Sequence, residues 1–387
     1  SVSVADGLAV TLSGDISASG SRILRKLDAG TLILTGTNSY GISYVLGGVL
    51  QVASSASLGT NTIALQDGAL EVTGTTTLSN AVSGTTGRIS VTGDNTATLS
   101  GNFFGLSTLS KTGTGTLALS GTSTAYSGAT TVSAGTLLVN GTFGNTSSSV
   151  AVDAGATLGG TGTIGGDVAV TGTLAAGSSP GTLSISGDLT LNFGSTSAFE
   201  LNAPGTIGDP SNDLVSVGGD LTLAGTVDAN VGSAGYYRLF DYSGSRTGSI
   251  ATVTITGVTG GMGQVQTGID GQVNLVALAD SQIMQFWDGA DTTGNGTVDG
   301  GDGTWSSAGT NWTGMPGEAE INGSSVGSVG VFSGTAGTVT VDGIQQFDTL
   351  QFKTDGYLLS GGALDLSPLT GSAGTLNADA GVTATIG

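Results

Sequence analysis

The chain has 387 residues, 71 of them Gly, with 8 basic against 28 acidic side chains, a formal charge of −20, and neither His nor Cys. Such a charge excludes nucleic-acid backbones and anionic membranes as favourable partners, because counterion release needs clustered Lys and Arg, and only Arg22, Arg25 and Lys26 lie close together. Without His the imidazole-driven Ser and Cys triads are excluded, and without Cys so are disulfides and thiolate metal sites.

Short runs of Thr, Val, Leu and Ile recur along the whole length, with Gly between them. They predict a folded, all-β chain, since disordered sequences lack this regular apolar content. No apolar run approaches the ~20 residues of a membrane-spanning helix, and the longest, VNLVALA at 273–279, predicts one buried strand. The opening SVSVADGLAV has neither a basic start nor a long apolar segment, so it is not read as an export signal. A start in mid-pattern is expected of a fragment or a processed product.

In chain order, the first 14 residues already belong to a repeat. SVADGLAVTLSG at 3–14 matches SVTGDNTATLSG at 90–101 at Ser3/Ser90, Val4/Val91, Thr11/Thr98 and Leu12/Leu99. RKLDAGTLILTGTNSY at 25–40 then matches SKTGTGTLALSGTSTAY at 110–126, and GGVLQV at 47–52 matches AGTLLV at 134–139. A unit of nearly 90 residues is therefore duplicated. Within it, alternating segments such as GTLILTG and GTLLVNG present one inward and one outward face. Their irregular turns lack the two-residue Asn-Gly signature of tight hairpins. Coils that stack on one another fit better, which predicts a β-solenoid. At roughly 20 residues per coil and ~4.8 Å per step, it would be a rod on the order of 80–90 Å long, with outward Thr and Ser in water or in ladders.

KTGTGTLALSG at 111–121, YSGATTVSAGTLLV at 126–139 and the more degenerate KLDAGTLILTG at 26–36 resemble the repeats of bacterial autotransporter passenger domains. GSSPGTLSISGDLTL at 177–191, NDLVSVGGDLTLAGTVDA at 212–229 and YYRLFDYSG at 236–244 resemble late coils of the same superfamily. The resemblance implies a right-handed parallel β-helix, exported across an outer membrane and exposed at the bacterial cell surface. The expected organisation is a solenoid with duplicated repeats over 1–190, late-passenger coils over 191–280, and a Trp/Gly/Asp-rich junction opening a second solenoid module over 281–387.

Past residue 281 come all three Trp, at 287, 305 and 312. As a group they read either as a cap on a core or as a platform for sugar faces, the cap being favoured. DTTGNGTVDGGD at 291–302 follows calcium-loop spacing, with Asp291 at position 1, Thr293 at 3, Asn295 at 5, Gly296 at 6, Val298 at 8, Asp299 at 9 and Asp302 at 12. Calcium on Asp291, Asn295, Asp299 and Asp302 is the one cofactor candidate, and a Gly/Asp turn is the alternative. Catalysis would need clustered carboxylates, for which Asp209 with Asp213 and Asp299 with Asp302 are the candidates, although turn formation explains them more simply. GGTGTIGG at 159–166 lacks the Lys and helix of a phosphate loop, so its glycines are expected to relieve crowding at solenoid corners.

The ending NADAGVTATIG resembles VADGLAVTLSG at 4–14 if one residue is inserted, which gives a long period of about 375 residues. The functional expectation is a noncatalytic extracellular rod, structural or adhesive. A subunit of a self-assembling fibre or sheath is the second reading, and a glycan-active β-helix enzyme the third. Expected partners are other copies of the chain, by stacking or lateral association, and a host or environmental surface ligand. Neither nucleic acid nor membrane insertion by this chain is expected.

Overall fold

The computed structural model describes residues 1–17, 22–177, 180–204, 209–267, 270–279, 283–295, 297–314, 328–365, 374–379 and 381–387. Among these the only helical element is a single 3₁₀ turn, Ser55–Ser57; all other regular structure is β-strand. No helix is long and apolar enough to cross a membrane. The chain is a parallel β-solenoid, and its residues fall into two compact units.

The first unit comprises Ser1–Ala198, Leu214–Val227 and Tyr242–Thr252. Its longest face is a 12-stranded parallel sheet running from Ala9–Leu12 to Arg246–Gly248. The strands are short because each coil must turn a corner after about four residues, and alternation sends every second side chain into the interior. Leu32, Leu50, Leu70 and Ile89 stack in register along this face, all buried. A second face begins with Val2–Ser3, Ile23–Leu27 and Ile42–Val45. Its backbone ladder breaks after Phe103–Phe104, where Phe103 N–H donates to Ser123 Oγ at 3.0 Å instead of to a carbonyl. The third face starts only at Thr76–Leu78, so the earliest coils carry two strands each and the later ones three.

This change rotates the duplicated unit. Ala9–Leu12 and Thr31–Leu34 lie on the long face, whereas their sequence counterparts Thr96–Leu99 and Thr116–Leu119 lie on the third face. The same text is therefore read one face further round.

The second unit comprises Phe199–Asp213, Asp228–Asp241 and Val253–Gly387. Here Gln272–Leu278, buried along nearly its whole length, pairs antiparallel with both Gly235–Tyr242 and Met262–Gln266. The buried strand expected from VNLVALA is present; its antiparallel pairing was not expected. Parallel coils resume with Met284–Trp287, Val329–Phe332, Thr349–Phe352 and Thr375–Ala378 on one sheet. Gly303–Trp305, Thr338–Gln346, Leu358–Asp365 and Thr385–Ile386 form the other.

Candidate functional site

The KTG segment at 111–113 and its counterpart KLD at 26–28 each build a corner. On the long face Lys111 stands in register between Ile89 and Val132, in an otherwise apolar inward column, and is fully buried. Its four-carbon stem packs as a hydrophobe would. Its ammonium reaches the corner and donates to Thr112 O at 3.1 Å, Gly113 O at 2.9 Å and Ala134 O at 2.9 Å. Three ammonium protons thus meet three carbonyls, two in its own turn and one in the next coil. Lys26, also fully buried, repeats the arrangement one face away, donating to Leu27 O, Asp28 O and Gly47 O at 2.8, 2.7 and 3.1 Å. Burial pushes Lys111 down to about 8 and lowers Lys26, the latter opposed by the Asp28 carboxylate.

The corner has no room for a side chain at Gly135, whose φ is +65°: a Cβ there would sit 2.5 Å from two backbone oxygens and 2.8 Å from Lys111 Nζ. Tyr40 and Tyr126 complete the repeat from the interior. Tyr126 donates to Ala129 O at 3.0 Å and lies 3.0 Å from Thr130 Oγ1, while Tyr40 lies 2.9 Å from Ser43 Oγ. Lys26 and Lys111 were not singled out from the sequence as buried clamps. The available signal was parity, since Lys111 lies two residues from the inward Leu109.

The calcium-like loop is only partly assembled. Asn295 Nδ2 donates to Asp291 Oδ2 at 2.8 Å and to Asp299 Oδ2 at 3.1 Å, so these three residues converge. Thr293 bonds Asp291 Oδ1 through both its N–H and its hydroxyl, and these bonds hold the Asp291 carboxyl below its usual range. Asp302 is directed elsewhere, its Oδ1 accepting from Thr338 N at 2.6 Å. Gly296 lies outside the described residues. Among the described residues no three His, Cys, Asp or Glu side chains converge as a metal site. Calcium here is a proposal resting on Asp291, Asn295 and Asp299.

The Trp cluster is core. Trp287, Trp305 and Trp312 are at most 2% exposed. Trp312 meets Trp287 and Trp305 edge to face at 5.5 and 5.1 Å, and Phe332 stacks on Phe352 at 4.9 Å. With every indole face covered, the sugar-platform reading is overturned.

The Asp209 and Asp213 carboxylates are committed to the backbone. Asp213 Oδ2 accepts from Glu200 N and Asp209 Oδ1 from Ser211 N, both at 2.8 Å. At the GGTGTIGG corner a Cβ on Gly166 would lie 1.8 Å from Ser148 O, so close approach between coils does require glycine there.

The outside of the first unit carries ordered columns of small polar side chains beside a few exposed apolar ones such as Phe193 and Leu8. Thr96, Thr116, Thr136, Thr157, Thr173 and Thr196 form one in-register column on the third face, all half-buried. Thr222 and Thr247 hydroxyls on the long face lie 3.2 Å apart. Beside them Asp167, Asp188 and Asp220 staple successive coils, each Oδ1 accepting the N–H of the next position along, Asp188, Asp220 and Ser245, at 3.0, 2.7 and 2.7 Å. These columns offer in-register hydroxyls and carboxylates.

Residues 24–52 and 109–139 match the passenger-associated-transport-repeat family. Each segment contains one buried lysine and its corner. The chain is also 39% identical over 240 residues, 56% of its length, to the adhesin BmaC autotransporter of Brucella suis biovar 1 (strain 1330). It spans 7% of the length of that relative. The passenger-type repeats read in the sequence are therefore present, and they coincide with the Lys-clamped corners.

Proposed function

We propose that this chain is a noncatalytic, adhesive segment of a passenger domain, displayed outside a bacterial cell and working through the outer faces of its solenoid. The observation that carries this reading is the pairing of passenger-type repeats with 39% identity to a protein named as an autotransporter adhesin. The chemistry agrees: of the carboxylates considered for catalysis, Asp209, Asp213 and Asp302 accept from backbone N–H groups and Asp299 from Asn295 and Thr297 side chains, and the Lys side chains at the repeat corners are spent on carbonyls. Export across the outer membrane and exposure at the cell surface belong to the same proposal.

The test is attachment. Beads coated with the folded chain should bind host cells, matrix proteins or abiotic surfaces above beads coated with the heat-unfolded chain, and soluble chain should compete. Equal binding by folded and unfolded beads would reject adhesion. Self-association into a fibre or sheath is a second proposal, supported by the duplicated unit of stacking coils; electron microscopy should then find filaments with a regular axial repeat. A glycan-active enzyme would instead release reducing ends or unsaturated sugars from polysaccharides, and none is expected.

A further inference from the structure

The coil at 375–387 has the form of the coil at 1–13. At a constant offset of 374 residues, Ser1 falls on Thr375 and Ser13 on Gly387. The strand Val2–Ser3 then lies within Thr375–Ala378, and the end of Ala9–Leu12 falls on Thr385–Ile386. The turns between them agree as well. Leu8 N–H donates to Ala5 O at 3.1 Å and Val382 N–H to Asp379 O at 2.9 Å, each turn carrying a left-handed glycine, Gly7 at +71° and Gly381 at +80°. No insertion is needed, which corrects the gapped match read from the sequence.

Side-chain parity follows the same offset. Val2, Val4, Leu8, Val10 and Leu12 correspond to Leu376, Ala378, Val382, Ala384 and Ile386, apolar at every position. Backbone parity follows too. The carbonyls of Val4, Leu8 and Leu12 accept from Gly30, Thr31 and Thr35 of the next coil at 2.9, 2.9 and 3.1 Å. In the later coil the opposite parity points back, with Asp379, Thr385 and Gly387 N–H donating to Phe352, Tyr357 and Leu359, all at 2.9 Å. Ala378, Val382 and Ile386 therefore occupy the positions that, in the first coil, hold the second. Thr375–Ala378 and Thr385–Ile386 are the terminal strands of their sheets among the described residues. Leu376 and Ile386 stand 45% and 47% exposed beside an apolar hollow that Val341, Leu359 and Leu364 also line.

We propose that the edge of 375–387 is a docking edge for a coil of the 23–34 type, supplied by another copy of this chain's repeat region joined in register at a 374-residue period. The partner chemistry is that of the existing interface between the first two coils: a strand like Ile23–Leu27, a corner Lys like Lys26, and a strand like Thr31–Leu34. This inference does not depend on adhesion.

The test extends the full chain after Gly387 with its own residues 14–139 and follows amide hydrogen exchange at Ala378, Ala384 and Ile386. Docking should slow exchange there at least ~10-fold relative to the unextended chain, as expected when a sheet edge becomes interior. That protection should vanish in an extension whose copied Leu32 and Leu34 are Asp, and in Leu376→Asp with Ile386→Asp, while the emission of the buried Trp core stays unchanged. Unchanged exchange in the extended protein, or protection that survives these substitutions, overturns the proposal.

Discussion

Lys111 illustrates how one side chain can serve two solvents. Its stem fills the slot between Ile89 and Val132, and its head satisfies three carbonyls at a corner no water needs to reach. Lys111→Met keeps the stem and strands the acceptors, so it should lower stability by about 2–3 kcal/mol, read from the urea midpoint. The same group sets a pH dependence. An ammonium whose pKa falls on folding costs stability while it is charged. For Lys111, held at about 8, the cost is complete below pH 8 and fades toward the unfolded value near ~10.4. Lys353, buried with Asp379 and also lowered to about 8, acts in the same sense. Stability should therefore climb from pH 8 to about 10, less steeply in Lys111→Met. Above that, Tyr126 and Tyr357, pushed up to about 12 by burial, reverse the trend as unfolded tyrosines ionise first.

At the same scale, the calcium spacing was legible in the sequence but the direction of Asp302 was not, because its partner Thr338 lies 36 residues away. Asp291 and Asp299 are already drawn together through Asn295, and if calcium takes the place of those bonds, millimolar calcium should raise the melting temperature; an unchanged melting temperature rejects the site.

Among elements, strand alternation was the readable quantity. It gave the inward Leu and Val columns and the outward Thr column, because a period of two admits only one face. Corners were less readable. The aspartates of GGDVAV, SGDLTL and GGDLTL drew no reading from the sequence, yet each carboxylate caps a neighbouring coil. Asp188→Ala should cost about 1 kcal/mol, while Asp188→Asn, which keeps an acceptor, should cost less. The rotation of the duplicated unit by one face was hidden, since sequence period does not record how many strands each coil spends. The antiparallel strands Gly235–Tyr242 and Gln272–Leu278 were hidden for a related reason: continuous buried runs look alike in either direction.

For the whole molecule, composition already pointed to all-β structure, and the duplicated text pointed to stacked coils. Function was legible only as exclusion plus resemblance. The Trp cluster was favoured from the sequence as a cap on a core over a sugar platform, and its burial against Phe332 decides between the two. The ordered outer columns of small polar side chains have a geometry that exists only while the coils are stacked. Adhesion should therefore be a property of the folded chain and of nothing shorter than several coils.

The most direct measurement is binding of the immobilised chain to a panel of host matrix proteins, glycans and cell membranes, before and after thermal unfolding on the same surface. The expected result is saturable binding to at least one member that disappears on unfolding, with no change in the bound glycan or protein. Binding that is absent from the folded chain, or unchanged when it is unfolded, would contradict the account.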